Sequence, residues 1–192
     1  MTTNVPITVT AIPGADPKIK ADYLFEFSGP NNLVDIAGNI TLDRIPRDDA
    51  RITFRAALDQ SAPQGSKIKF VSPAKSAISV GDTKCPKSFS NMCDSNGQNC
   101  QFEDPSLSNN KKRLTIKDLN TDSGEYLYAL HFKVTFSDNT SITPTADPMI
   151  KNGGGNSGVP PKGFWESGEA IVCKTETGKK ITIKIPIKIT IE

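Results

Sequence analysis

Four cysteines, one histidine and one tryptophan carry the sharpest chemistry in this 192-residue sequence, and their spacing limits what that chemistry is. Cys85, Cys93 and Cys100 stand in "CPKSFSNMCDSNGQNC", separated by seven and then six residues; Cys173 stands alone. A structural zinc site needs tight Cys-x2–4-Cys pairs to close a tetrahedron, and none occurs. The four thiols therefore read as a loop disulfide or as free cysteines, with a lean toward the reduced state because no secretory signal precedes them. The one histidine, His131 in "YLYALHFKV", falls on the opposite strand phase from Tyr128, Leu130 and Phe132. It should point to solvent or to the polar face of a sheet. A catalytic base needs a nucleophile or acid within reach, and no motif around His131 supplies one.

Other chemical signals are weaker. "DSNGQN" (94–99) spaces oxygen ligands as calcium loops do, but its glycine comes at position four and position twelve is Pro105, so it reads as a turn. "NGGGNSG" lacks the Gly-Lys-Ser/Thr ending of a phosphate loop and reads as a linker. In "GFWES", Phe164 and Trp165 adjoin that linker, and an exposed tryptophan there could stack on a sugar or anchor a protein. The competing reading turns Trp165 into the core. Ligand contacts are thus expected from Asp147, Asn152, Phe164, Trp165 and Glu166. Asp147, Glu166 and Cys173 are the residues from which an acidic or thiol-based catalytic site would be drawn. The sequons at Asn39 and Asn139 matter only in a glycosylating cell.

The elements that must position these residues are strands. Apolar and polar residues alternate in "PITVTAI", "DYLFEF", "RITFRAAL", "KIKFV", "RLTIKDL" and "YLYALHFKVTF", with turn signals such as "SGPNN" and "APQGS" between them. One apolar and one polar side per strand predicts antiparallel sheets packed face to face. The expected fold is an all-β sandwich of about nine strands, one domain over 1–192. Two stretches break the rhythm: a Cys-containing excursion at 73–113 and a Gly/Pro-rich loop at 143–164. The closing "KKITIKIPIKITIE" sets six isoleucines on one face. It predicts a hairpin with "EAIVCK" and a strand packed against Tyr128, Leu130 and Phe132 or against the sheet opposite, with Pro186 at an edge, a bulge or a switch between sheets.

"LTIKDLNTDSGEYLY" resembles the E–F corner of immunoglobulin-type domains, through Leu114, Ile116, Leu119, Asp122, Gly124 and Tyr126. The resemblance implies an immunoglobulin-like sandwich, with Tyr126 buried and its hydroxyl bonded to backbone near Asp122. The family's cysteine position holds Tyr128 and no earlier strand has a cysteine, so its inter-sheet disulfide is absent. "TADPMIKNGGG", through Asp147, Pro148, Ile150 and Asn152, is similar to the uncharacterised bacterial DP-EP family; no later Glu-Pro matches, and that family offers no activity to carry over.

Charge and hydropathy narrow the partners. A net charge of +2 gives no general pull toward nucleic acid or anionic membrane, and no apolar run is long enough to span a bilayer as a helix. The opening "MTTNVPITVT" lacks a basic segment followed by a long apolar run. The protein is expected in the cytoplasm if Met1 is the native start and outside the cell if a signal was removed. No cofactor or metal is indicated. The leading functional reading is a non-enzymatic binding or assembly module for a protein or carbohydrate ligand. The alternatives are a structural protein that self-associates as a homo-oligomer, and a hydrolase with a carboxylate or thiol site.

Overall fold

The computed structural model describes residues 2–42, 49–81, 88–93, 96–97, 100–120, 124–151, 171–174 and 180–183. The chain divides into two compact units, Met1–Gly155 and Asn156–Glu192, with the division inside the Gly/Pro-rich segment.

Apart from two short helical turns at Lys20–Asp22 and Ala74–Ala77, the regular structure of the first unit is strand: β1 (Thr2–Ile12), β2 (Leu24–Ser28), β3 (Ile40–Thr41), β4 (Asp49–Leu58), β5 (Lys67–Phe70), β6 (Ile78–Gly81), β7 (Ser106–Leu107), β8 (Arg113–Asp118), β9 (Glu125–Thr135), β10 (Ser141–Ile142), β11 (Thr145–Ala146) and β12 (Met149–Lys151). They form two sheets. The first has the order β2-β1-β4-β8-β7. The second is organised around β9, with β5 and β6 in succession along one edge and β10, β11 and β12 in succession along the other; β3 joins outside β12. The all-β class holds, but the sheets are mixed rather than antiparallel. β1 runs parallel to β4, Val5 opposite Ile52 and Ile7 opposite Phe54, and β3 runs parallel to β12. Alternation reports which face of a strand is buried and is blind to the direction of its neighbour.

The strand count also exceeds nine, for a local reason. Residues 141–151 follow the edge of β9 without leaving it, but Pro144 and Pro148 interrupt the ladder. Each proline carbonyl still accepts a β9 N–H, from Phe132 and from Tyr128, both at 3.0 Å. Each lacks the N–H that would complete the pair. The stretch 145–151, expected to open a loop, therefore lies in the second sheet.

The buried face of the first sheet carries Val5, Ile7 and Val9 of β1, Ile52 and Phe54 of β4, and Leu114 and Ile116 of β8; the second contributes Tyr128, Leu130, Phe132 and Val134 of β9. The two faces meet through rings: Phe54 lies 5.4 Å from Tyr128 and Phe25 lies 5.3 Å from Phe132, centroid to centroid. The stretch 73–113 is not wholly an excursion. β6 is buried at every residue and paired to β9, and Phe102 packs edge-on to Tyr126 at 5.1 Å in the core. Its polar composition comes from the residues around those anchors.

Leu114, Ile116 and Tyr126 are buried. The end of β8 is tied by the buried Asp118 carboxylate, which accepts from the Gln101 side-chain amide and from the Asn120 backbone N–H. Asp122, the expected neighbour of the Tyr126 hydroxyl, lies outside the described residues.

In the second unit, β13 (Ile171–Lys174) and β14 (Lys180–Ile183) pair antiparallel, Ile171 opposite Ile183 and Lys174 opposite Lys180. This is the hairpin expected from "EAIVCK" and "TETGKK". The rest of the terminal strand, Pro186 included, lies outside the described residues.

Candidate functional site

Of the residues singled out from sequence, Asp147 stands in the second sheet between β11 and β12. Asn152, Phe164, Trp165 and Glu166 lie outside the described residues, as does Cys85. Cys173 occupies β13, opposite Ile181. Cys93 and Cys100 are joined in a disulfide, so the reduced state does not hold for this pair. Between them in sequence, Gly97 takes φ +70°, a left-handed conformation that glycine adopts without strain.

The outer face of the second sheet holds the histidine. His131 Nε2 lies 2.8 Å from Ser79 Oγ on β6, and its Nδ1 lies 3.2 Å from Thr145 Oγ1 on β11, so one ring ties three strands. Desolvation holds the imidazole below its ordinary range and favours the neutral form. Asp147 follows on the same face. Crowding around its carboxyl raises it above the usual carboxylate range, although the residue reaches the surface. A serine hydroxyl on an imidazole nitrogen is the contact a nucleophile and its base make. The rest of that chemistry does not follow. Ser79 is 2% exposed, leaving an acyl group no approach to its hydroxyl among the described residues. Ser79 also sits inside the β6–β9 ladder, where strand N–H groups are committed to pairing rather than free to hold an oxyanion. The group on Nδ1 is a neutral threonine, which cannot stabilise an imidazolium as a carboxylate does. The triad is a structural tie across the sheet.

The outer face of the first sheet is different. β4 presents Arg51, Thr53 and Arg55 outward, and β8 presents Arg113, Thr115 and Lys117. The antiparallel register sets Arg51 opposite Lys117, Thr53 opposite Thr115 and Arg55 opposite Arg113. The two threonine hydroxyls meet at 3.2 Å. Two like-charged cross-strand pairs thus bracket a hydroxyl pair, an arrangement that costs stability. Among the described residues, Asp49, Glu103 and Asp104 are the carboxylates beside the β4–β8 pair, and each is engaged. Lys117 bonds Glu103 at 2.7 Å and Asp49 at 2.9 Å, which holds its ammonium above its ordinary range. Asp104 bonds Lys75 at 2.8 Å and accepts from Asn91, which hold it below the carboxylate range. Arg51, Arg55 and Arg113 are exposed, and none pairs with a carboxylate among the described residues.

Between β4, β8 and β7 this face sinks into an open depression of about 550 Å³, lined by Arg51, Thr53, Arg113, Thr115 and Lys117 of β4 and β8, by Ser106, Leu107 and Ser108, and by the carboxylates Glu103 and Asp104. The 108–113 turn is fixed by Ser108, whose Oγ accepts the Arg113 N–H at 3.0 Å and donates to Asn110 Oδ1 at 2.8 Å. That bond anchors the backbone from which the Arg113 side chain projects. None of these residues stood out as a site in the sequence, yet a signal was there. "RITFR" (51–55) and "RLTIK" (113–117) both place cation, threonine, cation on every second residue.

Among the described residues no helix is long and apolar enough to cross a membrane, and no group of three or more His, Cys, Asp or Glu side chains could hold a metal ion. No family model matches the chain, and no curated protein matches it significantly. A solved structure of an inclusion body protein, PixA, from Burkholderia cenocepacia J2315 is similar at a TM-score of 0.40 and 8% identity, over 78% of this chain and 94% of that one.

Proposed function

We propose that the protein is a non-enzymatic binding module of immunoglobulin-like sandwich type, whose binding surface is the outer face of the β4–β8 pair. One observation carries the reading: two exposed guanidiniums, Arg51 and Arg113, line a concave, hydroxyl-bearing surface with Arg55 beside it on β4, and none of the three pairs with a carboxylate among the described residues. Glu103 and Asp49 offset the charge of Lys117, whereas no carboxylate among the described residues offsets the Arg55–Arg113 pair, whose repulsion an anionic ligand would relieve. The buried Leu114, Ile116 and Tyr126 support the sandwich type. The closed surroundings of Ser79 weigh against a hydrolase.

The test is retention on a sulfopropyl matrix. Arg51→Gln/Arg55→Gln/Arg113→Gln removes three charges from this face, and Lys67→Gln/Lys69→Gln/Lys133→Gln removes three from exposed positions of the second sheet. All six side chains are exposed, so both variants should fold. The arginine variant should elute at clearly lower salt than the lysine variant. Equal elution would mean that only net charge matters, and the face would lose its assignment.

A further inference from the structure

Building on that reading of the β4–β8 face, we infer that its ligand is an acidic polysaccharide, a chain of sugar units bearing carboxylates. The lining combines two kinds of group in alternation. Arg51 and Arg113, the two guanidiniums of the lining, stand at diagonal corners of the β4–β8 pair, four register positions or about 13 Å apart along the strands. Between the two cationic ends lie the hydroxyls of Thr53 and Thr115, with Ser106 and Ser108 at the side. A threonine hydroxyl has one donor and two acceptor positions, and the Thr53–Thr115 bond uses one donor and one acceptor between them. The pair keeps capacity for a ligand's hydroxyls. Guanidiniums at the ends would grip carboxylates in bidentate fashion.

Other polyanions fit this lining less well. An extended peptide gains affinity from main-chain pairing at a sheet edge or from side chains sunk in apolar pockets. Here the ladder between β4 and β8 is already paired, and Leu107 is the one apolar residue of the lining among the described residues. Single-stranded nucleic acid is held by aromatic stacking along a basic groove, and among the described residues no aromatic side chain lines this depression. The same lack of a ring disfavours a neutral sugar, which leaves charge and hydroxyl matching as the means of recognition. Glu103 and Asp104 border one end, so the ligand chain should lie toward Arg113 and Ser108, away from those carboxylates.

The experiment uses the full chain against polygalacturonate, polyglutamate and a single-stranded oligodeoxynucleotide, at about 0.15 M salt where long-range attraction is screened. Polygalacturonate should bind in preference to both other polyanions. Arg51→Gln/Arg113→Gln should weaken that binding about tenfold or more, as loss of charged anchors does. Thr53→Val/Thr115→Val keeps shape and β-branching but removes the hydroxyls. It should weaken polygalacturonate several-fold while leaving sulfopropyl retention unchanged. Equal or tighter binding of polyglutamate or the oligonucleotide, or a threonine variant that binds polygalacturonate like the parent, overturns the inference. In those outcomes the face remains an anion-binding surface provided the arginine and lysine variants still separate on the sulfopropyl matrix.

Discussion

The Tyr128 hydroxyl donates to the Gly38 carbonyl at 2.7 Å, linking the middle of β9 to the turn before β3 across ninety residues of chain. Both ends are buried. Gly38 sits at φ +87°, and a Cβ there would lie 2.7 Å from the Phe27 ring, so the turn has room only for glycine. Tyr128→Phe keeps the ring against Phe54 but leaves a buried carbonyl without its partner. A loss of about 1–3 kcal/mol is expected in urea unfolding. Gly38→Ala should also destabilise, through backbone strain and the clash with Phe27.

The same tyrosine should contribute to the alkaline limit. Burial, with a smaller contribution from the Asp35 charge, raises its hydroxyl well above the ordinary value of 10.0. A raised value means the folded state keeps the proton longer than the unfolded chain. That stability is fully present below pH 10 and is lost as pH rises through the folded value. Tyr128→Phe should flatten the decline of stability above pH 10. An unchanged alkaline limb would show that other groups govern it.

His131 and Asp147 should act with opposite signs. The folded imidazole is held below its ordinary 6.5, so the unfolded chain takes up the proton first as pH falls. Its contribution is full above pH 6.5 and is lost as pH drops below it. Asp147 is raised above 3.8, so its contribution is full below that value and is lost as pH rises through the folded one. Chemical unfolding between pH 3 and 8 is the measurement. His131→Gln should reduce the slope of stability just below pH 6.5, and Asp147→Asn should reduce the opposing slope above pH 3.8.

Much of the core was legible in the sequence because a strand writes its buried face in its alternation. Ile52, Phe54, Leu114, Ile116, Tyr128, Leu130 and Phe132 all lie where the period puts them. Register and neighbour direction were not legible, because they depend on which strands meet. "RITFR" and "RLTIK" became a site only when β4 and β8 paired with Thr53 opposite Thr115. Ser79 and Thr145 flank His131 for the same reason. Each is a lone hydroxyl in its own segment, and only the three-strand arrangement brings it to the ring. Prolines misled in the other direction. Pro144 and Pro148 read as loop, yet their carbonyls hold the segment to β9.

The Cys93–Cys100 disulfide should be detectable without any ligand. Alkylation of the protein without reductant should leave both residues unmodified, and alkylation after reduction should modify both, read by peptide mass. The bond closes a short loop with a sequence separation of seven, for which chain entropy gives roughly 2–3 kcal/mol. The thermal midpoint should therefore fall on reduction. Labelling of both cysteines before reduction would contradict the bond.

The arginine face makes a prediction in which stability and binding move apart. Arg55 and Arg113 stand opposite each other on adjacent strands, exposed and without carboxylate partners among the described residues. Like charges so placed repel, whereas an opposite pair contributes roughly 0.2–1 kcal/mol. Arg55→Glu converts repulsion to attraction without touching the core, since position 55 points away from it. The thermal midpoint should rise by a degree or more, on the order expected from a few tenths of a kcal/mol in a domain of this size. The rise should shrink in about 1 M salt, where charge pairs are screened. Retention on the sulfopropyl matrix should fall at the same time, because Arg113 is then occupied and the face has lost a cation. A residue selected for packing would lose stability when replaced. A gain in stability paired with a loss of anion retention is what a residue kept for binding should show. A variant that is less stable and still fully retained would assign Arg55 to the fold.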